Sequence, residues 1–110
     1  MSEVSEKVVC RTPTEGKAPK TIDKWKYDVV RRAILHILKA KPEGVPFSEL
    51  AQMVGQNLSE YEKQNLGSVD WYTTTVKLDL EVKGEIRRLD KVSPQVLVTD
   101  MRDEYQEEAY

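Results

Sequence analysis

The chain is short of the residues that most catalysis and most covalent stapling require. Its 110 residues include one cysteine and one histidine. A single cysteine, Cys10, excludes an internal disulfide and a cysteine-built zinc site. A single histidine, His36, excludes a histidine pair for a metal. The five glycines are scattered singly, so there is no Gly-rich loop to cradle a phosphate. The longest apolar stretch, Ala33 to Leu38, is interrupted by His36 and falls far short of the ~20 residues that span a bilayer. The opening residues, Met1-Ser2-Glu3-Val4-Ser5-Glu6, are acidic and polar, without the basic start of a signal peptide. The expectation is a soluble cytoplasmic protein with no membrane partner, no metal and no cofactor.

What remains is one domain's worth of chain with an uneven charge. The net charge is -2, from 17 basic and 19 acidic residues. Residues 1–40 hold nine basic and five acidic side chains; residues 41–99 hold seven and nine; residues 100–110 hold one and five. The acidic excess is mostly a tail, and whole-chain charge understates how basic the body is. The segments expected are an extended arm or strand over 1–20, a domain over 21–99, and an acidic tail over 100–110.

Within the arm, Lys7-Val8-Val9-Cys10 is β-branched, and Pro13, Gly16 and Pro19 mark a loop. The first helix is expected from Thr21–Asp23, both ends of which suit an N-cap, to Ala40, where Pro42 and Gly44 stop it. Ile22, Trp25, Val29, Ala33 and His36 share one side; Tyr27, Val30, Ile34, Ile37 and Leu38 widen the apolar arc to about half the circumference. Val45-Pro46-Phe47 reads as an extended link. A second helix follows with Ser48 as its cap and Leu50, Met53, Val54 and Leu58 at helical spacing. Ser59 and Glu62 form a capping-box pattern for a short turn.

Residues 69–84 fit two periods. Val76, Leu78, Leu80 and Val82 alternate with charged residues as in a strand. At helical spacing, Val69, Tyr72, Val76 and Leu80 fall on one side, with Trp71, Thr75, Leu78 and Val82 on the other. Ser68 suits the cap, Asp70 the first turn and Gly84 the C-terminus, which favours a third helix. Ile86–Leu89 and Gln95–Val98 then form a hairpin around Lys91-Val92-Ser93-Pro94. Three helices followed by a β-hairpin wing, an α+β winged helix with an extended N-terminal arm or strand, is the fold expected.

Several stretches resemble one bacterial family of small uncharacterised proteins, a domain of unknown function with a winged-helix-like core. They are Val8-Val9 with Pro13 and Gly16; Lys26-Tyr27; Arg31 and Arg32 with Ala33-Ile34-Leu35; Pro42-Glu43-Gly44 with Phe47-Ser48-Glu49-Leu50; and Trp71-Tyr72 followed by Val76-Lys77-Leu78-Asp79-Leu80-Glu81-Val82-Lys83-Gly84. The resemblance covers roughly residues 6–90. The family usually shows a second Trp where this chain has Tyr72, and more Pro and Gly before the third helix than Glu60-Tyr61-Glu62-Lys63-Gln64. The resemblance implies the fold and a helical 69–84. It implies no substrate and no catalytic residues.

No arrangement of nucleophile, base and orienting carboxylate can be assembled around His36 or Cys10, and Asp79 and Glu81, two apart on a helix, do not share a face. The expectation is therefore a non-catalytic binding module and not an enzyme. Double-stranded DNA is the leading partner. Arg87, Arg88 and Lys91 in the wing, Thr74 and Lys77 in the third helix, and Lys24 with the other arm lysines, Lys17, Lys20 and Lys26, are its candidate contacts. The alternative is a protein partner or homodimer using the second apolar face of the third helix, Trp71, Leu78 and Val82.

Overall fold

Two segments that read locally as an arm and a helix start pair with each other instead. In the computed structural model, which describes residues 6–101, Lys7–Cys10 (β1) and Lys20–Asp23 (β2) form an antiparallel hairpin, Lys7 opposite Asp23 and Cys10 opposite Lys20. The first helix, α1, accordingly runs Lys24–Ala40, starting directly after Asp23, the later of the two expected caps, and ending at the expected Ala40. Asp23 occupies the N-cap position but makes no side-chain cap bond; its carboxylate pairs with Lys7 across the hairpin. Thr21 and Ile22 are β-branched and suit a strand once a partner is present.

The buried face of α1 is Tyr27, Val30, Ala33, Ile34, Leu35, Ile37 and Leu38. Trp25 and His36, expected on its apolar side, are exposed. After a turn closed by the Gly44 N–H donating to the Lys41 carbonyl, Val45–Pro46 forms β3 and Phe47–Gln56 forms α2. This helix begins one residue before Ser48, with Pro46 in the cap position, because the Phe47 N–H is taken by the Gln95 carbonyl of the neighbouring chain segment. The capping box at Ser59 does form: the Glu62 N–H donates to Ser59 Oγ at 3.1 Å, and the Ser59 N–H donates to Glu62 Oε1 at 2.9 Å. It opens a full helix, α3 (Glu60–Leu66), so the described residues hold four helices where three were expected.

Residues 69–83 are helical (α4, Val69–Lys83). Its caps are the ones the residues suggest. The Trp71 N–H donates to Ser68 Oγ at 3.0 Å, and Gly84 takes the left-handed conformation at φ 79°. Replacing Ser68 with alanine is expected to cost about 1 kcal/mol in urea unfolding. It should also raise amide exchange in the first turn of α4 while leaving α1 protected.

Arg87–Arg88 (β4) and Val96–Val98 (β5) then pair antiparallel, and β3 joins on the far side of β5, giving the order β3-β5-β4. The architecture is α+β: four helices with two small antiparallel sheets. The core is built from Val30, Ile34 and Leu38 of α1, Leu50 and Val54 of α2, Leu66 of α3, and Val76 and Leu80 of α4. Ile86 and Leu97 close it from the sheet. No described helix is long and apolar enough to cross a membrane.

Candidate functional site

Helix α4 determines what the surface offers. Its inner face, Val76 and Leu80, is fully buried in the core. Its outer face is only partly covered: Trp71 and Val82 remain 42% and 43% exposed, and Leu78 is half-buried. The cover is the β1–β2 hairpin, held to α4 by a polar cluster. Asp79, 1% exposed, accepts from the Arg11 N–H (2.8 Å) and the Tyr27 hydroxyl (2.6 Å), and Lys83 Nζ lies 2.9 Å away. Lys83 also donates to the Tyr27 oxygen at 2.8 Å. Burial pushes the Asp79 carboxyl up, but the Arg11 amide, the Tyr27 hydroxyl and Lys83 outweigh it and hold the group below its ordinary value. The same cluster raises Tyr27 to about 12, first through burial and then through its bond to Asp79.

Between the hairpin loop and α4 lies a groove of about 230 Å³. Trp71, Thr74, Thr75 and Leu78 form its helical wall; Arg11, Thr12, Thr14, Lys17, Ala18 and Lys20 form the other, and Cys10 is the last lining residue. The wall residues of α4 fall at i, i+3, i+4 and i+7, one stripe of a helix. The loop can turn back over them because Gly16 sits at φ 84°. The Cys10 thiol is raised to about 11, mainly by burial and then by the charge of Asp79, with Lys83 opposing. It stays protonated at neutral pH and offers no thiolate.

The groove gathers Thr74 with Trp71 and Leu78, residues assigned to rival partners on sequence grounds, and adds Lys17 and Lys20 of the basic arm. The other candidates lie elsewhere. Lys77 is 2% exposed: it pairs with Glu81 and packs over the Phe47 ring at 4.6 Å, so the helix does not present it to a ligand. Arg88 is bound to Glu81 at 2.9 Å and Arg87 to Asp100 at 2.8 and 3.3 Å, so both wing guanidinium groups are already partnered. Lys24 pairs with Asp28 at 2.7 Å. Lys91 is exposed at φ 63°, without an ion pair among the described residues. The acidic tail beyond Met101 lies outside the described residues. Arg11 and Cys10 were missed as site residues. The two β-branched segments flanking a loop with Pro13, Gly16 and Pro19 signal a hairpin holding both, though not its docking on α4. Among the described residues no cluster of three His, Cys, Asp or Glu side chains is placed to hold a metal ion.

No curated protein and no solved structure matches the chain. One family model does. Its match begins at Lys7, the first residue of β1, and runs to Leu97 inside β5, so that the hairpin, the groove and the three-stranded sheet all fall within one unit. The chain belongs to the family of unknown function DUF6958.

Proposed function

We propose that this protein is a non-catalytic winged-helix module that binds double-stranded DNA in a regulatory role. Its main contacts are the 11–20 loop and the exposed stripe of α4, with the wing arginines secondary. The observation that carries the reading is the line of cations without an ion pair among the described residues, Arg11, Lys17 and Lys20, beside the outer face of α4. Phosphate binding needs cations that are free to exchange counterions, and the wing arginines are held by Asp100 and Glu81. The order α1-β3-α2-α3-α4-β4-β5 with sheet order β3-β5-β4 supports the winged-helix assignment, with α3 as an added helix. Fold analogy alone does not select a partner, which is why the argument rests on the cations.

The test is fluorescence anisotropy with a generic labelled duplex at low and near-physiological salt. Binding is expected with a Kd of about 10⁻⁴–10⁻⁶ M at physiological salt. A Lys17→Glu, Lys20→Glu double variant should weaken it at least about tenfold and flatten the salt slope by about two. An Arg87→Ala, Arg88→Ala variant should cost less. No binding at low salt, or indifference to the loop charges, would sink the reading. Exposed Trp71 and Val82 favour the second reading, a protein-interaction or homodimerisation surface. Sedimentation at twice the 12.7 kDa chain mass, reverting to monomer in Trp71→Ala, would select it.

A further inference from the structure

We infer that the groove between the 11–20 loop and α4 is a binding site for a small flat organic anion: an aromatic ring carrying a carboxylate or a phosphate. This inference does not depend on DNA binding.

The charge argument comes first. Nine basic side chains among the described residues are held in ion pairs. Seven others are not, and three of these, Arg11, Lys17 and Lys20, line this one groove. Among the described residues no carboxylate lines it: Glu15, the acid of the same loop, is absent from its walls, and Asp79 is buried and engaged by the Arg11 N–H, Tyr27 and Lys83. A cavity wall with three unopposed cations and no acid selects an anion, and a wall that excludes part of the solvent screens that attraction less than open surface does.

The apolar half fixes the body of the ligand. Trp71 and Leu78 stand one above the other on α4, seven residues apart, with Thr74 and Thr75 between them. That stripe puts an aromatic side chain at one end, an aliphatic one at the other and two threonines between. A flat ring lies against it with its anionic group turned toward the lysines. The volume, about 230 Å³, is below the ~300–1,000 Å³ of sites for drug-sized ligands. The groove therefore holds one ring system and its head group, and not a larger molecule. Such a ligand and DNA would share Lys17 and Lys20, so the ligand competes with any phosphate backbone the loop contacts.

The ring and head group can come from an aromatic carboxylic acid or from an aryl phosphate, and two probes separate these sources: benzoate and phenyl phosphate. Inorganic phosphate is the control for the head group alone. The readout is the ¹⁵N–¹H correlation of the indole N–H groups of the ¹⁵N-labelled full-length protein without DNA. The two tryptophans give two indole peaks, and Trp25→Phe, outside the groove, identifies that of Trp71. At least one ring probe should shift the Trp71 peak saturably, with a Kd of about 10 µM to 1 mM, while the Trp25 peak stays in place. Inorganic phosphate should bind at least about tenfold more weakly, and Lys17→Glu, Lys20→Glu should raise the probe's Kd at least about tenfold. Both lysines are exposed, so an unchanged peak dispersion certifies the variant as folded. Whichever probe binds tighter names the source, and either supports the site. The inference is overturned if neither ring probe saturates by about 10 mM, if phosphate alone binds as tightly, or if reversing the loop charges changes nothing.

Discussion

Asp79→Ala is expected to destabilise the protein by about 3 kcal/mol and to loosen the β1–β2 hairpin before the rest of the fold. The carboxylate is fully engaged: one oxygen takes the Arg11 N–H, and the other takes the Tyr27 hydroxyl with Lys83 beside it. Alanine leaves the Arg11 N–H and the Tyr27 O–H without acceptors in a largely buried place, each a loss of about 1–3 kcal/mol. Lys83 contributes little to the loss, because its side chain is 44% exposed and can return to water. Urea unfolding measures the total, and hydrogen exchange at the Arg11 amide shows where it falls. A loss below about 1 kcal/mol with Arg11 still protected would refute the anchoring role. The pH profile carries a signature of its own. Asp79 is held below its ordinary value in the folded state, so the stability it adds is present above about pH 4 and is lost as pH falls through the folded value. The variant should therefore be flatter than wild type on the acid side. Cys10 and Tyr27 act at the other end. Both are raised, to about 11 and about 12, so the folded state favours their protonated forms. The stability they add is full below their unfolded values and declines from about pH 9 upward in wild type.

What was legible beforehand divides by range. Ser59 with Glu62, Ser68 and Gly84 announce helix ends because a cap involves residues three or four apart, and each forms as expected. Thr21–Asp23 shows the limit of the same logic: Asp23 sits at the cap position without a side-chain cap bond, and Thr21 lies in a strand. The segment has a good cap and good strand residues, and only Lys7–Cys10, more than ten residues away, decides between them. Lys77 and Asp79 look solvated in the sequence because their neighbours alternate in polarity. Both are buried because partners compensate them: Glu81 and the Phe47 ring for Lys77, Tyr27 and the Arg11 amide for Asp79. The groove was half visible. An apolar face on α4 that needed a cover could be read from Trp71 and Leu78, and the basic arm from Lys17 and Lys20. Their meeting depends on hairpin register, which sequence spacing does not contain. The wing arginines were visible as well, but not their engagement by Asp100 and Glu81.

Glu81→Ala is expected to cost about 4 kcal/mol, the other large effect, and it bears on function through Arg88. Glu81 sits between Lys77, whose side chain is 3% exposed, and Arg88. Burial pulls the Lys77 pKa below its ordinary value, and Glu81 is the first group opposing that. Without Glu81, an ammonium group remains buried with an aromatic ring for company, and an uncompensated buried charge typically costs about 3–5 kcal/mol. The sign of the pH dependence follows. The folded state then favours neutral Lys77, so the deficit is full at low pH and shrinks as pH rises through the folded value toward about 10.4. Set against a total stability of about 5–15 kcal/mol, the single variant risks unfolding, so the decisive measurement is the pair Glu81→Ala, Lys77→Met. Removing both charges and keeping an apolar stem of similar length should restore most of the loss, because an ion pair replaced by packed apolar groups is often neutral. If Lys77→Met restores nothing, the cost lies in the Arg88 bond and not in the buried ammonium. The folded double variant also frees the Arg88 guanidinium, 47% exposed in wild type, from its carboxylate. A gain in DNA affinity of about threefold or more would place the wing beside the phosphates; unchanged affinity would leave the 11–20 loop and α4 as the whole contact.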